Sequence, residues 1–418
     1  MHRLPGPAAA LLVLVILPAG CRPGGRPAYG PRAVVATALL SDDERAGEAI
    51  FRRERCDRCH TLLDAPPEEG VARLPGGPPA GGWRSRVGPD LGLEGHRRSD
   101  DWHDAHLYAP GSVVRGTPMP PYRHLFDARE GVPRPTAEGR RLVAYLQALG
   151  RARRDVWAEW RSIEPAIPPP PAVDEDLMVR GEELYHRHCV ACHGPAGDGR
   201  GEAASLLLFP PRDFTAALYR FRSTPTGTPP ADADLYRAIT LGGGLGAAMP
   251  HFDWLPPRDR WALVLRVKQF SPALRGGGLC ASGGRVVVPP APPGRAGGGA
   301  RMVTRGRRMW DDLGCAACHG AAGEGMGAEE SGASWTDAAG APVPRATDLR
   351  DPCGYRGGAS DAAIDRVLRW GTAGAMPAYE PPAGGGTWDP LIAFLRSLSP
   401  AAPPAAEAAT SPGTPGRR

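Results

Sequence analysis

The sequence predicts a mainly α chain of three tandem units joined by stretches rich in proline and glycine. Three observations carry that expectation. The pentapeptide C-x-x-C-H occurs three times, at 56–60, 189–193 and 315–319. A glycine and an aromatic residue one helical turn apart precede each copy: Gly47/Phe51, Gly181/Tyr185 and Gly306/Trp310. An amphipathic stretch carrying an aromatic residue closes each unit, with Tyr145, Trp261 and Phe394. A pattern recurring about every hundred residues marks a repeated domain and not one large core.

The pentapeptide has a specific chemistry. C-x-x-C-H is the attachment pattern for c-type haem: both thiols add to the haem vinyl groups as thioethers, and the adjacent histidine ligates the iron. A disulfide within C-x-x-C has no use for the histidine. A zinc site pairs two such units at suitable spacing, whereas these copies lie more than a hundred residues apart. No βαβ pattern supports a thioredoxin-like pair. The expectation is three covalently bound haem c groups, on Cys56/Cys59/His60, Cys189/Cys192/His193 and Cys315/Cys318/His319.

Composition agrees. The 56 glycines and 49 prolines make a quarter of the 418 residues and cluster between the motifs. The basic residues are arginines, Lys268 excepted. The formal charge of +5 is largely offset once each haem brings two propionates. Binding of nucleic acid therefore has no support.

Residues 1–21 combine a basic start with a short apolar run, too short to span a membrane and suited to a signal peptide. The run ends in Leu17-Pro18-Ala19-Gly20-Cys21, which resembles a bacterial lipoprotein processing site. Cys21 is then expected to carry lipid and tether the protein to the periplasmic face of the cytoplasmic membrane. Ordinary cleavage, giving a soluble periplasmic protein, is the alternative. Export suits haem c, which bacteria attach outside the cytoplasm.

Residues 22–40 read as a tether. Ser41-x-x-Glu44 forms a capping box that opens the first unit, 41–152, and a helix from there delivers Cys56. Its closing helix spans roughly 136–149, where Leu142, Tyr145, Leu146 and Leu149 share one face. A proline-rich linker fills 153–173. The second unit, 174–273, holds helices near 176–188 and 257–271. A Gly/Pro linker, 274–299, leads to the third unit, 300–399, which closes with a helix near 390–398. Residues 400–418 read as a disordered tail.

The paired glycine and aromatic positions resemble the class I cytochrome c fold. There the first and last helices cross at a glycine and an aromatic fills the crossing. Such a fold needs a sixth iron ligand. Met119, Met249 and Met376 each precede a proline after a glycine-rich loop, 59, 56 and 57 residues beyond their haem histidines. A lone methionine is ordinary core packing, but three at near-constant offset read as thioether ligands. The axial pairs are thus His60/Met119, His193/Met249 and His319/Met376. His103, His106 and His251 are rival ligands, while Met326 lies too close to its motif. Complete His/Met ligation leaves no open site for a substrate and points to electron transfer instead of catalysis. By the same resemblance, the Pro89 carbonyl is expected to hold the His60 ring nitrogen, and Pro211 that of His193. Arg222 and Arg356 are candidate propionate partners.

From Arg86 to Phe126 the chain reads RVGPDLGLEGHRRSDDWHDAHLYAPGSVVRGTPMPPYRHLF. It resembles the monohaem cytochrome c subunit (subunit II) of cbb3-type oxidases, with a lipoprotein-like leader where that family has a membrane helix. The second and third units are similar to periplasmic class I cytochrome c domains. The resemblance implies a membrane-anchored triheme electron carrier with oxidase or reductase partners. A triheme subunit of a membrane-bound dehydrogenase is the alternative, and a multihaem peroxidase a third. Cys280 and Cys353 are left over, and in an oxidising compartment they are candidates to pair.

Overall fold

The computed structural model describes residues 40–62, 88–127, 133–151, 158–275, 299–325, 346–381 and 387–399, apart from a few positions inside those ranges. The leader with Cys21, the tether to residue 39, most of 274–299 with Cys280, Met326, the tail and the Cys353 side chain lie outside the described residues.

The described chain is mainly α. Its helices are α1 (Asp42–Arg53), α2 (Asp100–Tyr108), α3 (Pro110–Val113), α4 (Ala137–Ala148), α5 (Glu175–His188), α6 (Val190–His193) and α7 (Asp232–Leu241). They continue with α8 (Pro257–Gln269), α9 (Pro272–Arg275), α10 (Ala300–Asp312), α11 (Ala316–His319), α12 (Asp361–Trp370) and α13 (Asp389–Leu398). One two-residue antiparallel pairing, β1 (Phe126–Asp127) with β2 (Arg134–Pro135), interrupts them.

Local signals set the helix ends. The Ser41 hydroxyl accepts from the Glu44 N–H while the Glu44 carboxylate accepts from the Ser41 N–H, a complete capping box. Asp174 caps α5 through the Leu177 N–H. Pro257 and Pro390 sit in first turns, where a missing N–H costs nothing.

Three long helix pairs organise the core: α1 with α4, α5 with α8, and α10 with α13. Each pair crosses at a glycine. A Cβ on Gly47 would lie 1.9 Å from the Arg141 carbonyl oxygen, one on Gly181 2.4 Å from that of Ala262, and one on Gly306 1.9 Å from that of Pro390. Only hydrogen fits there, so the backbones approach closely. Each pair sits at the centre of its own apolar cluster.

The aromatic filling differs in one pair. Phe51 meets Tyr145 edge-on at 5.5 Å, and Trp310 meets Phe394 at 5.6 Å. Tyr185, however, packs on Phe270 at 5.0 Å and not on Trp261. The register explains this. Tyr145 and Phe394 present their Cβ atoms to the glycine, and the equivalent position on α8 is Arg266. Its guanidinium lies over both the Tyr185 and Phe270 rings, at 5.4 and 4.1 Å. Trp261 faces the other way, against Tyr236 at 4.7 Å, and its indole N–H donates to the Pro168 carbonyl. Lys268 is buried too, its charge paired with Asp232 at 2.6 Å.

Candidate functional site

Each pentapeptide follows the first helix of its pair and coils into a single tight turn. Residues 56–58 form a 3-10 turn after Arg55, which takes a left-handed φ of 58°. The second and third copies are the short helices α6 and α11, each ending on a glycine of positive φ, Gly194 and Gly320. The turn sets both cysteines and the histidine at one end of the crossing helices. None of the six cysteines is in a disulfide.

Spacing alone gives Cys59 and Cys318 the same standing as Cys56 and Cys315, but the structure does not place them alike. Cys56 is buried and Cys315 packs against the apolar cluster of its unit. Cys59 is exposed, Cys318 is half-buried, and neither joins a cluster. The tight turn is the cause. The Cys59 N–H donates to the Cys56 carbonyl at 3.1 Å, and the Cys318 N–H to the Cys315 carbonyl at 3.3 Å. The second thiol of each motif thus lies one turn beyond the first and further from the crossing helices. Cys59 and Cys318 are singled out by their motif and not by burial.

The three histidines share one arrangement. His60 Nδ1 donates to the Pro89 carbonyl at 2.9 Å, His193 Nδ1 to Arg212 at 3.0 Å, and His319 Nδ1 to Thr347 at 3.1 Å. That bond commits the proton to Nδ1 and leaves the Nε2 lone pair for a metal, the usual device for orienting a ligating imidazole. Burial favours the neutral ring, holding His193 down to about 4 and lowering His319 as well. Phe214 stacks on His193 at 4.4 Å and fixes its plane. Burial likewise pushes the Cys56 thiol up to about 11 and Cys189 to about 12.

The carbonyl for His193 is Arg212 and not Pro211. The Pro211 carbonyl is turned instead towards Gly199, where an added Cβ would lie 2.6 Å from it. No sequence signal singles out Arg212 or Thr347, because a carbonyl is common to every residue.

Met119, Met249 and Met376 are partly buried, each against the cluster that also holds the first cysteine of its unit, Cys56, Cys189 or Cys315. The second and third loops are pinned alike. The Gly243 N–H donates to the Met249 carbonyl at 3.0 Å and the Thr372 N–H to the Met376 carbonyl at 2.9 Å. Both loops leave a ten-residue helix at a left-handed glycine, Gly242 or Gly371.

The rival histidines have neighbours of their own. His106 stacks on Trp102 at 4.7 Å, and His103 meets the same ring edge-on beside Glu94. His251 Nδ1 bonds Asp253 at 2.7 Å. The Arg222 guanidinium donates to the carbonyls of Tyr219, Pro225 and Trp370. Arg356 lies against Gly244 and over the Phe209 ring at 5.9 Å.

The donor set suits haem c. Each unit offers two unbridged thiols, an imidazole with its Nδ1 proton committed, and a thioether on the same apolar cluster. The indole N–H groups of Trp310 and Trp388 and the Tyr219 hydroxyl are buried with no partner among the described residues. They are donors that a bound polar group would satisfy. Among the described residues no group of three or more His, Cys, Asp or Glu side chains could hold a bare metal ion.

Known families point the same way. Residues 78–138 match the family described as cytochrome C oxidase, mono-heme subunit/FixO. Residues 176–265 match that of cytochrome C oxidase, cbb3-type, subunit III. The chain is a c-type cytochrome that resembles cbb3 oxidase subunits. As such it binds haem c covalently and serves electron transfer. A solved chain of a reducing HAO-like protein complex from Kuenenia stuttgartiensis is also similar. It is 27% identical, with a TM-score of 0.43 over 57% of this cytochrome and 100% of its own length. No curated protein matches this cytochrome.

Proposed function

We propose that the protein carries three haem c groups and passes single electrons, one haem to the next, towards a terminal oxidase or periplasmic reductase. The observation that carries this is the threefold recurrence of one arrangement. A glycine-crossed helix pair, a C-x-x-C-H turn, a carbonyl on the histidine Nδ1 and a methionine on the same cluster occur together in each unit. The domains are those at 41–152, 174–273 and 300–399. The haems attach at Cys56/Cys59, Cys189/Cys192 and Cys315/Cys318, with axial pairs His60/Met119, His193/Met249 and His319/Met376.

Thioether ligation raises the potential and closes the sixth position, so the role is a relay and not a catalyst. The protein sits on the periplasmic face of the cytoplasmic membrane, held by lipid on Cys21. The first unit's match to an oxidase subunit favours an oxidase as partner.

Three measurements test this. Haem content of the purified chain should be three per polypeptide, and fewer removes the relay as drawn. Purification from membranes in mild detergent should then recover a haem-copper core that consumes oxygen. Recovery of a dehydrogenase without oxygen uptake would reassign the protein to that enzyme, and carbon monoxide binding by the reduced haems would reopen the peroxidase reading.

A further inference from the structure

The stretch between the first and second units is more than a spacer. Helix α7 and helix α12 are equivalent ten-residue helices of the second and third units. Arg237 and Arg366 are each the sixth residue of their helix. Both reach the same carboxylate oxygen, Glu164 Oε1, at 2.9 and 2.5 Å. Glu164 Oε2 accepts from the Ser360 hydroxyl, the N-cap of α12, at 2.6 Å. Glu164 belongs to neither helix and binds both from between them.

Arg161 does the same with backbone. It is fully buried and donates to the carbonyl of Leu241, the last residue of α7, at 3.2 Å, and to that of Tyr355 in the third unit. Its own carbonyl accepts from the Ala359 N–H at 3.0 Å. Trp370, the last residue of α12, has its carbonyl capped in turn by Arg222 of the second unit. Each helix end, where carbonyls lack partners and the dipole is negative, thus receives a guanidinium from outside its own unit. The strap then continues over the second unit, with Ile167 in its apolar cluster and the Pro168 carbonyl on Trp261.

We infer that this segment is a clasp that locks the second and third units into one rigid body, with Glu164 as its pin between Arg237 and Arg366. The charges explain why a pin is needed. Two guanidiniums that meet at one oxygen repel each other; Asp234 pairs with Arg237 at 2.9 Å, and Glu164 is the carboxylate that Arg237 and Arg366 share. Burial and the neighbouring Arg237 both lower the Arg366 pKa, as expected for that pair. The carboxylate turns the repulsion into two charge-assisted bonds. Resting on the three-haem reading, the clasp would hold the second and third haems at one fixed separation, on which tunnelling depends steeply.

The test uses the full-length holoprotein and compares wild type with Glu164→Ala and with the isosteric Glu164→Gln. Hydrogen exchange is followed at the C-terminal turns of α7 and α12 and at 355–360, together with the scattering radius, haem content and helical circular dichroism. Both variants should keep their haem and helicity, exchange those amides at least about ten-fold faster and enlarge the radius. Wild-type protection and radius in both variants would overturn the clasp. The exchange result stands whatever the haem count, so a shortfall of haem would overturn the proposed function alone. If Glu164→Ala lost haem, Glu164→Gln would decide.

Discussion

A Cβ atom on Gly306 would lie 1.9 Å from the carbonyl oxygen of Pro390 and 2.7 Å from the Cβ of Phe394. The contact is with backbone, which cannot swing aside. Alanine would gain up to about 1 kcal/mol of helix propensity over glycine, but it must push α10 and α13 apart. Overpacking of this kind costs about 1–3 kcal/mol. Gly306→Ala should therefore cost about 0–2 kcal/mol net, read as a lower denaturant midpoint, and loosen the nearby Trp310. A stabilised Gly306→Ala would mean that the helices do not cross as closely as described.

Arg266 stands where the other two pairs have an aromatic ring. Arg266→Ala should cost about 1–2 kcal/mol, from the cation–π contacts with Tyr185 and Phe270. Arg266→Lys should recover little, because a compact ammonium does not stack as a planar guanidinium does. Arg266→Phe should recover most of the loss by copying the Tyr145 and Phe394 arrangement. Urea melts of the three variants check the order.

Glu94 is buried in the first unit beside Arg98, Arg97 and His103. Burial alone would raise its pKa, but the two arginines and the histidine hold it down to about 2. A folded pKa below the unfolded one contributes stability above the unfolded value, and this is lost as pH falls through the folded value. The window runs from about 4.5 down to about 2. On the order of 3 kcal/mol should disappear across it. Thermal melts between those pH values should show a shallower slope for Glu94→Gln, already destabilised at neutral pH. Parallel curves for the two proteins would remove Glu94 as the acid-sensitive group.

Met249 shares an apolar cluster with Cys189. On the proposed ligation, Met249→Leu keeps the volume and removes the sulfur, so the second haem should lose its sixth ligand while the fold persists. Its potential should fall and the reduced haem should bind carbon monoxide, one equivalent per chain. Redox titration and a carbon monoxide difference spectrum read both effects. An unchanged titration would pass the ligand role to another residue, with His251 two positions away the first to test.

The C-x-x-C-H turns and the helix pairs were legible because they are written in short-range spacing. The capping box at Ser41/Glu44, the glycines at the crossings and the periodicity of Leu142, Tyr145 and Leu146 all act within a few turns of helix. The Pro89 carbonyl on His60 was legible from a resemblance of loop sequence. The chain by itself determined which residues form the C-x-x-C-H turns and which helices carry an apolar face. Only the tertiary structure decided that Cys59 and Cys318 stand outside the clusters that take Cys56 and Cys315. It alone decided that Arg212 holds His193, that Phe270 and Arg266 flank Tyr185, and that Arg222 caps Trp370 from another unit. It also joined Glu164 to Arg237, 73 residues away, and to Arg366, 202 residues away. The reason is physical. Helix periodicity and capping depend on neighbours along the chain, whereas the partner of a carbonyl or a guanidinium depends on what packing brings beside it.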